Sequence, residues 1–307
     1  MEYVIQKARE EDLDRILGIY AIARDFMARN GNPTQWGNSY PAPELLQKDI
    51  ALGKLYTLSN SSGIHGVFYF AIESDPTYSV IYDGAWRSDA VYGVIHRIAG
   101  DGSGGILKAA VDFAAAKIGY LRIDTHENNL VMQKALQKQG FRRSGTIFVE
   151  DGTPRIAYER IDGVREAEDA DLDALLKLYC HLHESTIPED SPQLRNTWKR
   201  MMEDGDHHVI VYEHRGNIVS SCICVIIPNL TRNVRPYGFV ENVVTHEAYR
   251  GRGYASTCLA YAKELAKRNN CYKLMLLTGA KDEKTLTFYR NAGFNSADKT
   301  AFVQWFA

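Results

Sequence analysis

The chain has 307 residues, with 36 Lys and Arg against 38 Asp and Glu and a formal net charge of −2. That balance gives no reason to expect nucleic acid or an anionic membrane surface as a partner. The longest purely apolar run near the middle, Cys222 to Ile227, is six residues and too short to span a bilayer. At roughly 150 residues per domain the length predicts two domains. Five cysteines without a Cys-x-x-Cys pair, and a start that is neither basic nor long and apolar, predict free thiols in a reducing cytoplasm.

The same pattern occurs twice. Residues 7–20 read KAREEDLDRILGIY and 165–179 read REAEDADLDALLKLY, so that Asp12, Leu13 and Asp14 fall on Asp171, Leu172 and Asp173. Gly93–Ala99 matches Gly238–Val244, and Gly140-Phe141 matches Gly293-Phe294, at offsets of 145 and 153. Such drift is of loop-insertion size, and the sequence predicts one fold written twice, over 1–161 and 162–307.

In the first copy, strand Tyr3–Lys7 leads into helix Asp12–Arg29, and a turn-rich loop carries Trp36 and Tyr40. Helix Glu44–Leu52, strands Leu55–Ser59, His65–Ile72 and Tyr92–Ala99, and helix Ile106–Lys117 follow. Strand Leu121–His126, helix Asn129–Gln139 and a hairpin of Thr146–Val149 with Arg155–Glu159 close it. The second copy starts at Val164, with a first helix ending near His183, a helix Leu194–Met202 and strands Val209–Glu213 and Ile218–Ile227. Its central strand begins at Gly238. Strict alternation places Glu241 and Thr245 on the face of Phe239 and Val243. A helix with Cys258, Leu259, Ala262, Leu265 and Ala266 on one side comes next, then strand Tyr272–Thr278 and helix Thr285–Phe294.

Between central strand and helix lies Arg250-Gly251-Arg252-Gly253-Tyr254-Ala255. Two glycines allow close approach of backbone to a ligand. The first N–H groups of the helix, at Tyr254, Ala255 and Ser256, point into the loop with the positive dipole end behind them. Arg250 and Arg252 add charge. This is an anion cradle, and it is no Walker loop, because no Gly-Lys-Ser/Thr follows.

The run Arg250-x-x-Gly253-x-Ala255 resembles the pyrophosphate-binding signature of the GNAT N-acetyltransferase superfamily, and Tyr289-x-x-x-Gly293-Phe294 resembles its second motif. The resemblance implies two tandem α/β folds, each a mostly antiparallel mixed sheet splayed at its central strands and flanked by helices. It implies acetyl coenzyme A as cosubstrate and a primary amine of a small molecule or peptide as acceptor. It further implies no metal and a cytoplasmic monomer or homodimer. Carried over residue by residue, the cofactor would meet the backbone of Val243 and Val244 and the loop Arg250, Gly251, Arg252, Gly253, Tyr254, Ala255 and Ser256. Glu241 would be the base and Tyr289 the acid that protonates the departing thiolate.

The first copy departs from this pattern. Gly102 stands at the Arg/Gln position and Leu107 at the small one, Asp101 adds a carboxylate, Leu136 replaces the tyrosine and His96 replaces Glu241. RIDTHENNLVMQKALQKQGF (122–141) still resembles a bacterial subgroup of the superfamily, which implies Asn129 as a contact for the cofactor's amide arm. His96 is open to two readings, a base or a core histidine. A non-catalytic acyl-coenzyme-A-binding protein remains the alternative; it fits the first copy, whereas the second retains both Glu241 and Tyr289. His181, His183, His207 and His208 lack the helical spacing of a metal site. Arg232 and Arg235, just before the central strand, either hold an acceptor's carboxylate or phosphate or are solvated.

Overall fold

Asp12 and Asp171, which the sequence comparison aligns, make equivalent hydrogen bonds. The Asp12 carboxylate accepts the backbone N–H of Arg9 at 2.9 Å, and Asp171 accepts that of Glu168 at 2.8 Å. Each satisfies a donor next to a helix start. The computed structural model describes residues 2–182 and 186–306. It divides into two units between Asp162 and Gly163.

In the first unit, β1 (Val4–Lys7), α1 (Leu13–Arg29), α2 (Pro43–Ala51), β2 (Leu55–Asn60) and β3 (Gly63–Ile72) precede the central strand β4 (Gly93–Gly100). Then come α3 (Ile106–Ala115), β5 (Tyr120–Thr125), α4 (Leu130–Lys138), β6 (Arg142–Phe148) and β7 (Pro154–Ile161). The sheet order is β1-β2-β3-β4-β5-β7-β6. Ile16, Ile19 and Tyr20 of α1 pack on one face with Val67, Val94 and Ala99. Ile106, Ala110 and Val111 of α3 pack on the other with Phe68, Ile95 and Leu121. Each such buried aliphatic side chain contributes about 1.5–3 kcal/mol.

The second unit runs β8 (Gly163–Glu166), α5 (Leu172–Tyr179), α6 (Pro192–Glu203), β9 (His207–His214), β10 (Asn217–Ile227) and the central strand β11 (Tyr237–Thr245). After it come α7 (Tyr254–Arg268), β12 (Leu274–Leu276) and α8 (Glu283–Asn291). Its sheet order is β12-β11-β10-β9-β8. Leu172, Leu175 and Leu178 of α5 cover one face with Trp198 of α6. Cys258, Leu259, Ala262 and Leu265 of α7 cover the other. Helix α5 is shorter than the periodicity predicts, and His183, where that helix was expected to end, lies outside the described residues. Strand β12 is also shorter than expected, because its partner β11 leaves it after three residue pairs.

The strict alternation expected along the central strand does not hold. Val240 belongs to the cluster under α7 and Val244 to the cluster under α5, although four residues separate them. The register against β10 jumps from Ile223↔Glu241 to Ser221↔Val244, and Asn242 takes a left-handed φ of 51°. One inserted residue, a β-bulge, turns the strand over. Glu241 therefore shares a face with Phe239 but not with Val243. The first unit repeats the device: Tyr69↔His96 jumps to Val67↔Ala99 around Arg97, whose φ is 49°. Arg97 and Asn242 stand at the same offset of 145 as the strands that carry them.

Parallel pairing fails at the bulge. Strand β11 pairs with β12 only at Gly238, Phe239 and Val240, and β4 pairs with β5 only at Gly93 and Val94. A Cβ on Gly238 would stand 2.5 Å from Leu274 Cδ1, so the paired end admits no side chain there. Beyond it, among the described residues, Glu241–Thr245 has no strand on its β12 side. Asn tolerates the left-handed conformation that a β-branched residue resists. Asn242→Val should lower stability by about 1–2 kcal/mol in urea unfolding, whereas Asn242→Gly should be close to neutral.

Candidate active site

Three elements of the second unit converge where β11 and β12 part. The first is the loop that ends in α7. Gly251 and Gly253 have φ of 76° and 82°, and no neighbour stands within 4 Å of a Cβ built on either. Among the described residues no side chain caps α7 at Gly253, which leaves the N–H groups of its first turn without a side-chain acceptor and with the helix dipole behind them.

The loop side chains divide into structural and available groups. Arg250 donates from Nε to the Thr245 carbonyl at 3.1 Å and from Nη2 to the His181 carbonyl at 3.4 Å, so its guanidinium ties the loop to its surroundings. This departs from the expectation that both arginines face an anion. Arg252 lies over the Tyr249 ring at 5.3 Å. Tyr254 stacks on Tyr212 at 4.3 Å, which anchors the first turn of α7. Tyr212 and Tyr249 escaped the sequence reading, since nothing local marks a ring that packs across strands.

The second element is the open edge of β11. Val243 turns towards α7 and α8, and Val244 is buried against α5. The third is the pair expected to handle protons. Glu241 is exposed and faces away from α7, whereas Tyr289 of α8 packs in the cluster under α7. The bulge thus puts the two on opposite sides of the opening. Burial pushes the Tyr289 phenol above its usual value, and Cys222 and Glu241 push it further. The charge of Glu241 is therefore felt across the gap.

The first unit carries the same scaffold with different contents. Gly105 caps α3 with φ of 87°. Here, however, Asp101 Oδ1 accepts the Ser103 N–H at 3.1 Å, and Oδ2 accepts Arg15 at 2.6 Å and lies 3.0 Å from His65 Nδ1. A carboxylate of the chain itself sits at the loop. Asn129 is committed too, its Oδ1 capping α4 at Met132 and its Nδ2 donating to Gln35. Leu136 is fully buried in the core.

His96 occupies the register of Glu241. Its Nε2 lies 2.8 Å from Asp75 Oδ2 and its Nδ1 3.6 Å from Asp124 Oδ1, while Tyr78 donates to Asp124 at 2.7 Å. Asp75 and Asp124 come from separate elements, which is why no sequence motif announces them. Among the described residues, no three His, Cys, Asp or Glu side chains are placed to hold a metal. No helix is long and apolar enough to cross a membrane.

Burial alone would raise the Asp75 carboxyl, but hydrogen bonds from His96 and Thr77 outweigh it and hold it at about 2. A group depressed in this way stabilises the fold above its unfolded value, and that contribution disappears as pH falls through the folded one. Asp75 should contribute about 2 kcal/mol at pH 5, declining between about pH 4 and pH 2. Urea unfolding of wild type and Asp75→Asn across pH 2–6 measures it: the two curves should converge at the acid end.

The Acetyltransferase (GNAT) family model matches residues 172–294. Glucosamine 6-phosphate N-acetyltransferase of Trypanosoma brucei brucei is 31% identical over 137 residues, covering 44% of this chain and 90% of that protein. N-alpha-acetyltransferase 30 of Saccharomyces cerevisiae is 26% identical over 139 residues, 44% of this chain and 69% of that one. A GNAT-family acetyltransferase structure from Streptococcus agalactiae 2603 covers 52% of this chain and 95% of its own, with 26% identity and a TM-score of 0.48.

Proposed function

Since the chain belongs to the acetyltransferase (GNAT) family, whose members use acetyl coenzyme A, we propose that its second unit transfers an acetyl group from that donor to a primary amine. The observation that carries the reading is the bulge at Asn242. It opens the sheet beside an unoccluded glycine cradle and sets a carboxylate and a phenol on opposite sides of the opening.

Acetyl coenzyme A supplies the thioester. The backbone N–H groups of Gly253, Tyr254, Ala255 and Ser256, with Gly251 in the turn and Arg252 beside it, hold the pyrophosphate. Arg250 fixes the loop. The open edge of β11 at Val243 and Val244 pairs with the amide arm as an added strand would, and one N–H there donates to the thioester carbonyl oxygen as it gains charge. From the other face, Glu241 receives the amine. It takes a proton from the ammonium, which frees the nitrogen lone pair for attack, and the second N–H proton is lost to solvent as the N–C bond forms. The C–S bond breaks, and Tyr289 gives its proton to the sulfur. Burial suits that transfer, because a thiol in the same surroundings is also raised, as Cys222 is.

The first unit, in this reading, is a second copy of the fold whose donor half is closed by Asp101 and Asn129. The relatives are named for different acceptors, a sugar phosphate and a protein terminus, so the assay begins with glucosamine 6-phosphate and extends to other amines.

Calorimetry should find one acetyl coenzyme A per chain; two equal sites would overturn the closed first unit. Gly253→Val forces a β-branched residue to a φ of 82° and should abolish detectable cofactor binding. Arg252→Ala should cost about 1–2 kcal/mol of affinity. Normal cofactor binding by Gly253→Val would show that the loop has another role.

The proton roles separate by pH. Glu241→Gln should lower turnover by about 10²–10⁴ near neutrality and recover as pH approaches the acceptor's own pKa. Tyr289→Phe should slow transfer without that recovery. An unchanged pH–rate profile in Glu241→Gln removes the base from this scheme, and full activity of Tyr289→Phe removes the acid.

A further inference from the structure

The face that presents Glu241 has its own architecture. On β11 and β12 the residues that turn towards α7 are Gly238, Val240, Leu274 and Leu276. Alternation places Tyr237, Phe239 and Glu241 on the opposite face, with Lys273 and Met275 beside them through the register Gly238↔Leu274 and Phe239↔Met275. The Lys273 ammonium stands 5.1 Å from the Tyr237 ring, on that same side. Phe239 and Met275 are half-buried and, among the described residues, join neither hydrophobic cluster of the unit. A row therefore runs from a cation through a half-buried apolar middle to the carboxylate.

Positive charge accumulates at the Tyr237 end. Arg232, Arg235, Lys273 and Lys299 line a cavity of about 750 Å³ with Tyr272 and a single carboxylate, Asp298. Arg235 donates to the Asn270 and Cys271 carbonyls at 3.1 Å each, which fixes the wall. Arg232 and Lys273 lie 5.9 and 5.4 Å from the Tyr272 ring. Neither makes an ion pair within 4.0 Å among the described residues, so both heads are available. An ammonium at Glu241 and an anion at Lys273 and Arg232 would each meet the opposite charge, and the row fixes their separation. Tyr237 to Glu241 spans about 13 Å at 3.3 Å per residue, and the long cationic side chains shorten that to on the order of 10 Å.

We infer that the acceptor is a bifunctional molecule, an amine with a carboxylate or phosphate at its far end and an uncharged body between. The anion rests on Lys273 and Arg232, the body on Phe239 and Met275, and the amine at Glu241. This assignment rests on acetyl transfer in the second unit, as set out above.

Matched acceptors test it: 8-aminooctanoate against 8-amino-1-octanol, and glucosamine 6-phosphate against glucosamine, each followed by thiol release and by calorimetric binding. The anionic member of at least one pair should be favoured about tenfold or more in kcat/KM and in affinity, and the pair that responds identifies carboxylate or phosphate. In Lys273→Met and Arg232→Met the anionic-to-neutral ratio should fall towards one. Lys273→Glu should reverse it in favour of 1,8-diaminooctane. Equal use of charged and neutral acceptors, or a ratio that survives all three substitutions, overturns the inference while leaving acetyl transfer in place. A wild-type protein that binds the anionic amines in a Lys273-dependent manner, yet releases thiol with none of them, overturns the acceptor assignment and leaves only an anion subsite at Lys273.

Discussion

One residue inserted into one strand governs both units. Without Asn242, β11 would stay paired with β12 to its end, every backbone group would be satisfied, and no ligand could add itself to the edge. With it, parallel pairing ends at Val240 and the strand turns over. The residues before the insertion address one face of the sheet, and those after it the other. A left-handed backbone is unfavourable for most residues, and it persists here because pairing on the β10 side resumes at Val244 and fixes both ends of the insertion. The local cost is small beside the burial of Val240 and Val244 against separate helices.

The turn-over has a chemical consequence. A donor and an acceptor that must meet at one carbon need separate approaches, each with its own recognition surface. In the proposed scheme the α7 side, with the loop at Gly253 and the phenol of Tyr289, takes the anionic, thiol-bearing donor. The α5 side carries Glu241, the half-buried Phe239 and Met275, and cations beyond them. Because the bulge sends Val240 and Val244 to separate clusters, groups on either side pack against different helices.

The two units show how little must change for a shared scaffold to diverge. Both keep the helix-start aspartate, the bulge at equivalent positions and a left-handed glycine before the following helix. In the first unit Asp101 places a carboxylate of the chain itself at the loop. It is held by Arg15, His65 and Ser103 and kept below the usual carboxylate range by the hydrogen bonds from Ser103 and His65, which outweigh the opposing effect of burial. Around His96 the first unit has built a cluster of Asp75, Asp124 and Tyr78 in the register that Glu241 holds in the second. The same strand position therefore serves a shielded ion-pair network in one unit and an open carboxylate in the other.

The order of strands and helices and the glycine loop were legible in the sequence because each is written locally. Periodicity of apolar residues marks an element, Asp12 and Asp171 mark helix starts, and glycine before a helix marks a close backbone approach. Glu241 and Tyr289 entered as candidates only through the family resemblance of the motifs beside them. Their placement on opposite faces was not legible, because alternation counts every residue as one step and a bulge is a residue that does not count. Whether Asn242 adopts the left-handed region depends on the register of β10 across from it, more than fifteen residues away in sequence. For the same reason Arg250 read as a ligand group until the Thr245 and His181 carbonyls took its guanidinium, and Lys273 carried no signal until the parallel register set it beside Tyr237. Local sequence determined which elements form and where the loop lies. Strand register, which is a relation between distant segments, decided which side chains face a ligand and which face each other.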